Sequence, residues 1–381
     1  MSNYPAEALT LLQKIMAVPT VGQDESLVAD IIEDYLQPLI ASGVLASTRV
    51  NFAPGRDNLV IRYGEGTDHL LGLNGHMDVV TAGDEQQWQH APFTATVVGG
   101  RIYGRGATDM KAGLAALVVA LKRQATAVPH PVHPVVLFAT VGEEVDNYGA
   151  RQLAAAGYAD HLEALLVGEP SEGVIKPAQR GIIDYTVTAR GKAAHSSQPE
   201  LGANAIDGLV AFHQAAQTAV APLLAQTAPL LGHPTHAITL INGGAQVNII
   251  PEAGHLRGNI RTIPTANNAQ FVAALHQAVA AVNVPGVTLD LSVDSTLDPV
   301  GTPADNPLVQ AVQAARAAEQ LAPAPVAGDT GITDAALMCL PGTALAIYGP
   351  GNGTSHQTDE FVELADFNQA LAVYGHLLAQ W

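Results

Sequence analysis

The chain is 381 residues long, enough for two or three domains at roughly 150 residues each, and its 48% apolar content suffices for a large core. Seventeen Lys and Arg against 35 Asp and Glu leave a net charge of −18, which argues against a nucleic-acid backbone or an anionic membrane as the main partner. A single cysteine, Cys339, excludes an internal disulfide framework and a cysteine-based zinc site.

Apolar residues at helical spacing predict helices over 6–17 (Leu9, Leu12, Ile15, Met16) and 25–41 (Leu27, Ile31, Tyr35, Leu39). Residues 1–20 lack the cationic start and unbroken apolar stretch of a secretory leader, so a cytoplasmic protein is expected. Short β-rich runs follow at 58–63 and 69–74, then a helix over 110–123 with Leu114, Leu117, Val118 and Leu121 on one face. Its apolar run, Ala112 to Leu121, is about half of the ~18–20 residues that a membrane span needs. A buried strand is expected over 135–141, a short helix near 149–156, and another strand ending at Val167. Strands alternating with helices indicate an α/β fold with a mixed, largely parallel sheet.

From Ile182 the rhythm changes to strand 183–190, helix 203–220, strands 236–242 and 254–262, helix 268–282 and strand 286–293. That order, β-α-β-β-α-β, is ferredoxin-like, and 182–293 is expected to be an inserted domain. The Pro-, Asp- and Gly-rich segment 294–306 reads as the return crossing. Residues 1–181 and 294–381 would then form one discontinuous domain.

Candidate metal ligands fall just beyond the predicted strands. His76 and Asp78 follow the strand ending near Asn74, Glu143 and Glu144 follow VVLFATV, and Glu169 follows ALLVG. His356 comes after ALAIY and a Gly-rich turn, and Asp109 opens the 110–123 helix. In an open α/β sheet the carboxyl ends of the strands form one rim where ligands bind, so these distant residues would meet there. Taken singly, each has an ordinary explanation. His-x-Asp is expected about once by chance among fourteen histidines, Asp109 suits a helix N-cap, Glu143 and Glu144 suit a solvated loop, Glu169-Pro170 suits a turn, and His356 an exposed loop. Their shared rim favours a site of two histidines and three carboxylates, a nitrogen and oxygen set suited to Zn²⁺, Co²⁺ or Mn²⁺. Asp78 would fix the His76 ring from behind. No GxxxxGK[ST], complete GxGxxG, HExxH or GxSxG is present.

The motifs GHMDVV (75–80), GRGATDMKAG (104–113), GEE (142–144), GEP (168–170), RG (180–181), GKAAHSSQPELGANAI (191–206) and GPGNGTSHQTDEFV (349–362) resemble the M20 metallopeptidase family. Within it, the resemblance is to the branch of acetylornithine deacetylases and succinyl-diaminopimelate desuccinylases, over nearly the whole chain and in the same order. The resemblance implies a catalytic domain holding two divalent metal ions, Zn²⁺ first among them, and an inserted domain that acts as a lid and dimerises. It implies His76 and Glu169 on one ion, Glu144 and His356 on the other, Asp109 as the bridge, Asp78 as an orienting carboxylate and Glu143 as general acid/base. His195 resembles a histidine delivered to the active site by the partner subunit of a homodimer. Asn248, Arg261 and, beside them, Arg180 are expected to meet the substrate, a small N-acyl amino acid or short peptide. The chain departs from the desuccinylase pattern at Gln179 and Ile182, which stand where a second Arg and a small hydroxyl residue would serve a terminal carboxylate. A turn of Thr330 to Asp334 (TGITD) replaces the GGTSD form.

These features together imply hydrolysis of the amide bond of an N-acyl amino acid. A dipeptidase or carboxypeptidase of the same family is the alternative, sharing the metals and Glu143 but differing in the pocket. A catalytically silent, metal-stabilised binding protein is disfavoured, because Glu143 serves proton transfer rather than ligation or packing.

Overall fold

Three short runs rich in Val, Leu and Ala, and a fourth beginning LLGL, form the parallel part of a buried sheet. The computed structural model describes residues 6–145 and 147–381; the first five residues of the expected 1–181 segment lie outside that range. The sheet has six strands in the spatial order Leu45–Ala53, Arg56–Tyr63, Val135–Thr140, Leu70–His76, Leu162–Val167 and Ala344–Ile347. Leu45–Ala53 and Arg56–Tyr63 form an antiparallel hairpin, and the second of them joins Val135–Thr140 antiparallel. The last four strands in the order are mutually parallel. Parallel strands covered on both faces need apolar residues throughout, and 70–76, 135–140 and 344–347 are buried at every position. All four carboxyl ends therefore lie on one rim, followed by the segments that carry Glu143 and Glu144, His76 and Asp78, Glu169, and His356.

Helix Lys111–Ala127 is apolar nearly all round, the pattern of a helix without a solvent face, and residues 111–121 are all buried. It packs against helices Ala6–Met16 and Leu364–Gln380. Its start comes unusually close to the chain beyond strand Leu162–Val167. A Cβ on Gly113 would lie 1.9 Å from the Gly168 carbonyl oxygen, and one on Gly349 would lie 2.1 Å from it. Gly168 thus sits between two other glycines, immediately before Glu169.

The chain divides into two compact units. One comprises Met1–Pro177, Thr302–Ala327 and Thr333–Trp381; the other comprises Ala178–Gly301 and Gly328–Ile332. The second contains strands Gly181–Arg190, Thr235–Gly243, Ala253–Thr262 and Thr288–Leu297 with helices Ala205–Leu224 and Asn268–Ala281, in β-α-β-β-α-β order. Its sheet is antiparallel, ordered 235–243, 253–262, 181–190, 288–297. Strand 181–190 alternates buried and half-buried residues, as expected where helices cover one face only. Ile183, Tyr185 and Val187 meet Leu209, Phe212 and Phe271 in its core. Strand Thr288–Leu297 runs four residues past the expected end at 293. No helix of the described residues is long and apolar enough to cross a membrane.

Candidate metal centre

His76 is the last residue of its strand and is 1% exposed, so its ring orientation is set by its surroundings. Nδ1 lies 2.9 Å from the backbone carbonyl of Asp78, and 3.7 Å from that residue's Oδ1. A carbonyl can only accept, so the ring proton belongs on Nδ1 and the Nε2 lone pair points away from it. That lone pair faces Asp109 Oδ1 at 3.2 Å and Glu169 Oε1 at 3.3 Å. On the other side, His356 Nε2 lies 3.3 Å from Asp109 Oδ2 and 2.9 Å from Glu144 Oε2. The two oxygens of Asp109 are therefore shared between two histidines, each with its own glutamate.

Converging lone pairs repel unless a positive charge lies among them, and the proton equilibria report this. Burial opposes a charge on His76, but Glu169 and Asp109 overcome it and hold the ring well above its usual range. The Asp109 and Glu144 carboxylates push His356 up to about 10. Burial acts to raise Asp109, yet His356 and His76 hold it below the usual carboxylate range. Burial, reinforced by Asp109, pushes Glu169 up to about 8. Burial also lifts Glu143 well above its ordinary value, with the neighbouring Glu169, Asp334 and Glu144 adding to the shift.

A metal ion fits where these groups now share protons. Around a tetrahedral ion with bonds of ~2.0 Å, neighbouring donor atoms stand ~3.3 Å apart, close to the spacings on both sides of Asp109. Two sets of ligand-type atoms each lie within 4.8 Å of one another: His76, Glu143 and Glu169, and His76, Asp109 and Glu144. Glu144 Oε1 is buried without a hydrogen-bond partner, an arrangement that costs ~1–3 kcal/mol or more unless a cation serves it. The donor set of imidazole and carboxylate, with no thiolate, suits Zn²⁺, Co²⁺ or Mn²⁺.

The surrounding loops are fastened by buried carboxylates. Asp78, fully buried, accepts the Glu143 N–H at Oδ1 (3.1 Å) and the Glu144 N–H at Oδ2 (3.2 Å). Asp109 does not cap the following helix, whose N-cap is Met110; its carboxylate turns toward the histidines instead. Two groups take part that the sequence did not single out. Glu360, fully buried, accepts backbone N–H groups of Gly106, Thr108 and Asp109 and an ion pair from Arg105. Asp334, also buried, accepts from Thr140 Oγ1 (2.6 Å), Asn147 Nδ2 (3.0 Å) and Asn74 Nδ2 (3.3 Å) beside the strand ends that lead to the ligands. Asp359-Glu360, close after His356, and the Asp of TGITD were the only signals available.

The remaining candidates belong to the second unit. His195 lies exposed on the short strand Ala194–His195, which pairs with Ile249–Ile250. Its Nδ1 receives the Ser197 backbone N–H at 3.1 Å and lies 2.8 Å from Ser197 Oγ, which leaves the ring proton on Nε2. Asn248 is exposed beside it, its carbonyl accepting the Ser196 N–H at 3.0 Å. Arg261 is half-buried in strand Ala253–Thr262, paired across to Ile182 and Thr235. Arg180 donates from Nη2 to the Leu231 carbonyl at 2.9 Å, and Gln179 is fully buried.

Known proteins resemble this chain throughout its length. It is 33% identical to a protein of Staphylococcus epidermidis described as a probable succinyl-diaminopimelate desuccinylase, covering 97% of this chain and 96% of the other. It is 32% identical to the succinyl-diaminopimelate desuccinylase of Acidovorax ebreus, covering 97% of each. Its fold is similar to that of an M20 family metallo-carboxypeptidase from Sulfolobus solfataricus, with a TM-score of 0.77 over 99% of both chains at 16% identity. The sequence pattern of peptidase family M20/M25/M40 matches residues 72–380, the stretch that carries every residue of the candidate centre, and the chain belongs to that family.

Proposed function

We propose that this chain is a dinuclear metal-dependent hydrolase that removes the acyl group from an N-acyl amino acid, acting on succinyl-diaminopimelate or a chemically similar substrate such as acetylornithine. The observation that carries the reading is Asp109, with one oxygen facing His76, whose same nitrogen meets Glu169, and the other facing His356 beside Glu144. Bound divalent cations, Zn²⁺ first, with Co²⁺ or Mn²⁺ as alternatives, supply Lewis acidity toward the acyl carbonyl and lower the pKa of water toward ~7. His76, Glu169 and one Asp109 oxygen would hold one ion; His356, Glu144 and the other oxygen would hold the second.

Glu143 accepts a proton from the attacking water and returns it to the departing amine nitrogen, because its carboxyl borders the ligands while Glu144 is committed to His356. Asp78 keeps these adjacent glutamates apart in role by holding both of their N–H groups. His195, from the partner subunit of a cytoplasmic homodimer, donates its Nε2–H to the developing oxyanion; the Ser197 contacts that leave the proton on that nitrogen support this. Arg261, with Asn248 and Arg180, binds the substrate carboxylate. The inserted unit, expected over 182–293, serves as lid and dimerisation domain in this reading.

The test is hydrolysis of succinyl-diaminopimelate, acetylornithine and simple dipeptides by chelator-treated protein, before and after adding Zn²⁺, Co²⁺ or Mn²⁺. Hydrolysis of an N-acyl amino acid only after metal addition is expected. Full activity in metal-stripped protein overturns the metal assignment, and turnover of dipeptides alone moves the chain to the peptidase side of its family.

A further inference from the structure

We infer that Glu360 is a positioning residue that ties the bridging carboxylate to the loop of His356, and so controls the second metal ion more than the first. This inference rests on the dinuclear reading of the centre. Glu360 Oε1 accepts the N–H groups of both Thr108 (2.8 Å) and Asp109 (2.9 Å). Its Oε2 accepts the Gly106 N–H (3.1 Å) and the Arg105 guanidinium (2.6 Å). Its backbone carbonyl accepts the Gly104 N–H at 2.9 Å, and the next carbonyl, that of Phe361, accepts Thr108 Oγ1 at 2.6 Å. The loop from Gly104 to Asp109 is thereby wrapped around one residue that stands four positions after His356.

The two sides of the centre differ in how their ligands are anchored. His76 ends a strand in the middle of the sheet, and Glu169 follows a neighbouring strand and the packed Gly168. His356 is 53% exposed, has a left-handed backbone (φ 64°) and lies in a loop between strands Ala344–Ile347 and Phe361–Glu363. Arg105 supports that loop further, donating from Nη1 to the Gln357 carbonyl (3.3 Å) while Nη2 reaches the Thr81 carbonyl (3.1 Å). Removing the Glu360 carboxylate would release the backbone of Asp109 and the anchor of the His356 loop together. The sheet would still hold His76 and Glu169.

Outer partners of metal ligands are worth about 10–100-fold in affinity when lost. The experiment is equilibrium dialysis of the full-length wild type and Glu360→Gln against graded free Co²⁺, with bound metal counted by mass spectrometry. Wild type should bind two ions. In Glu360→Gln the second should weaken by about 10–100-fold while the first changes by less than about threefold. In the His356→Ala background, where the second site is already lost, Glu360→Gln should change the remaining ion by no more than about threefold. Equal weakening of both ions, or of neither, overturns the inference. Binding of fewer than two ions by wild type would instead overturn the dinuclear reading. If Glu360→Gln fails to give a cooperative thermal transition, Glu360→Asp takes its place: it keeps a carboxylate near Arg105 but draws it back by one methylene from the Thr108 and Asp109 N–H groups, and the same selective weakening is required of it.

Discussion

Asp78 holds the Glu143 and Glu144 N–H groups on its two oxygens, and an amide in its place can accept at only one of them. Asp78→Asn should therefore leave one N–H at the rim without an acceptor, at a cost of about 1–3 kcal/mol. Urea unfolding should show the midpoint falling, and metal content at limiting Zn²⁺ should fall with it; an unchanged midpoint would mean that the turn is held by something else. Glu143→Gln tests the opposite kind of residue. It should keep both ions by mass spectrometry and lose about 10²–10⁴-fold in kcat, the usual weight of a general base; loss of metal would assign Glu143 to ligation. The residues brought together around Asp109 were legible because each follows a strand or opens a helix, so the topology alone predicts their meeting. Glu360 and Asp334 were not legible in the same way. Their partners stand up to 255 and 260 positions away and are mostly backbone N–H groups or neutral side chains, which leave no charge pattern or spacing to read.

Helices and strands with strong apolar periodicity were read close to their observed bounds, including Glu25–Ala41 and the six elements of the ferredoxin-like unit. Strand Leu45–Ala53 had no such signal. It lies at the edge of the sheet, has one buried residue, and carries Ser, Thr, Arg and Asn among its half-exposed and exposed positions. The contact of helix Lys111–Ala127 with Gly168 was equally silent, since glycine in a helix reads only as a weak helix former. A matched pair of substitutions separates propensity from packing here. Gly375, within helix Leu364–Gln380, has nothing within 4 Å of an added Cβ, so Gly375→Ala should stabilise by about 0.4–1 kcal/mol. At Gly113→Ala the same gain meets a carbonyl oxygen 1.9 Å away, and the forced shift should cost about 1–3 kcal/mol net. Thermal melts of the two variants should move in opposite directions, and the Gly113 variant should also bind its first ion less tightly, because the displaced segment carries Glu169. A stabilised Gly113→Ala protein would show that the helix and the Gly168 segment separate freely.

At the scale of the whole molecule, the convergence of Asp109, Glu144 and Glu169 on two histidines couples folding to both pH and metal. The segment Gly328–Ile332 shows how little of the overall organisation is local. Nothing in its composition marks it as part of the second unit, yet the Asp329 N–H donates to the Ala178 carbonyl at 2.7 Å, joining chain positions 151 residues apart. The sign of the pH effect follows from the direction of the shifts. In the ion-free chain Glu169 rises from 4.5 to about 8 and His356 from 6.5 to about 10, with Glu143 and His76 shifted the same way. The folded state thus binds more protons than the unfolded state over this range, and stability contributed by these groups is lost as pH climbs from about 4.5 toward 10. Divalent ions act in the opposite sense. Their ligands must be free of protons, so affinity rises with pH, and stabilisation grows with the ratio of free ion to Kd. Melting temperatures measured with Zn²⁺ and with EDTA should therefore diverge between pH 6 and pH 8, with the EDTA curve falling and the gap widening. A constant gap would mean that ions and protons do not compete for the same carboxylates and imidazoles, and the assignment of Glu169, His76 and His356 as ligands would fail with it.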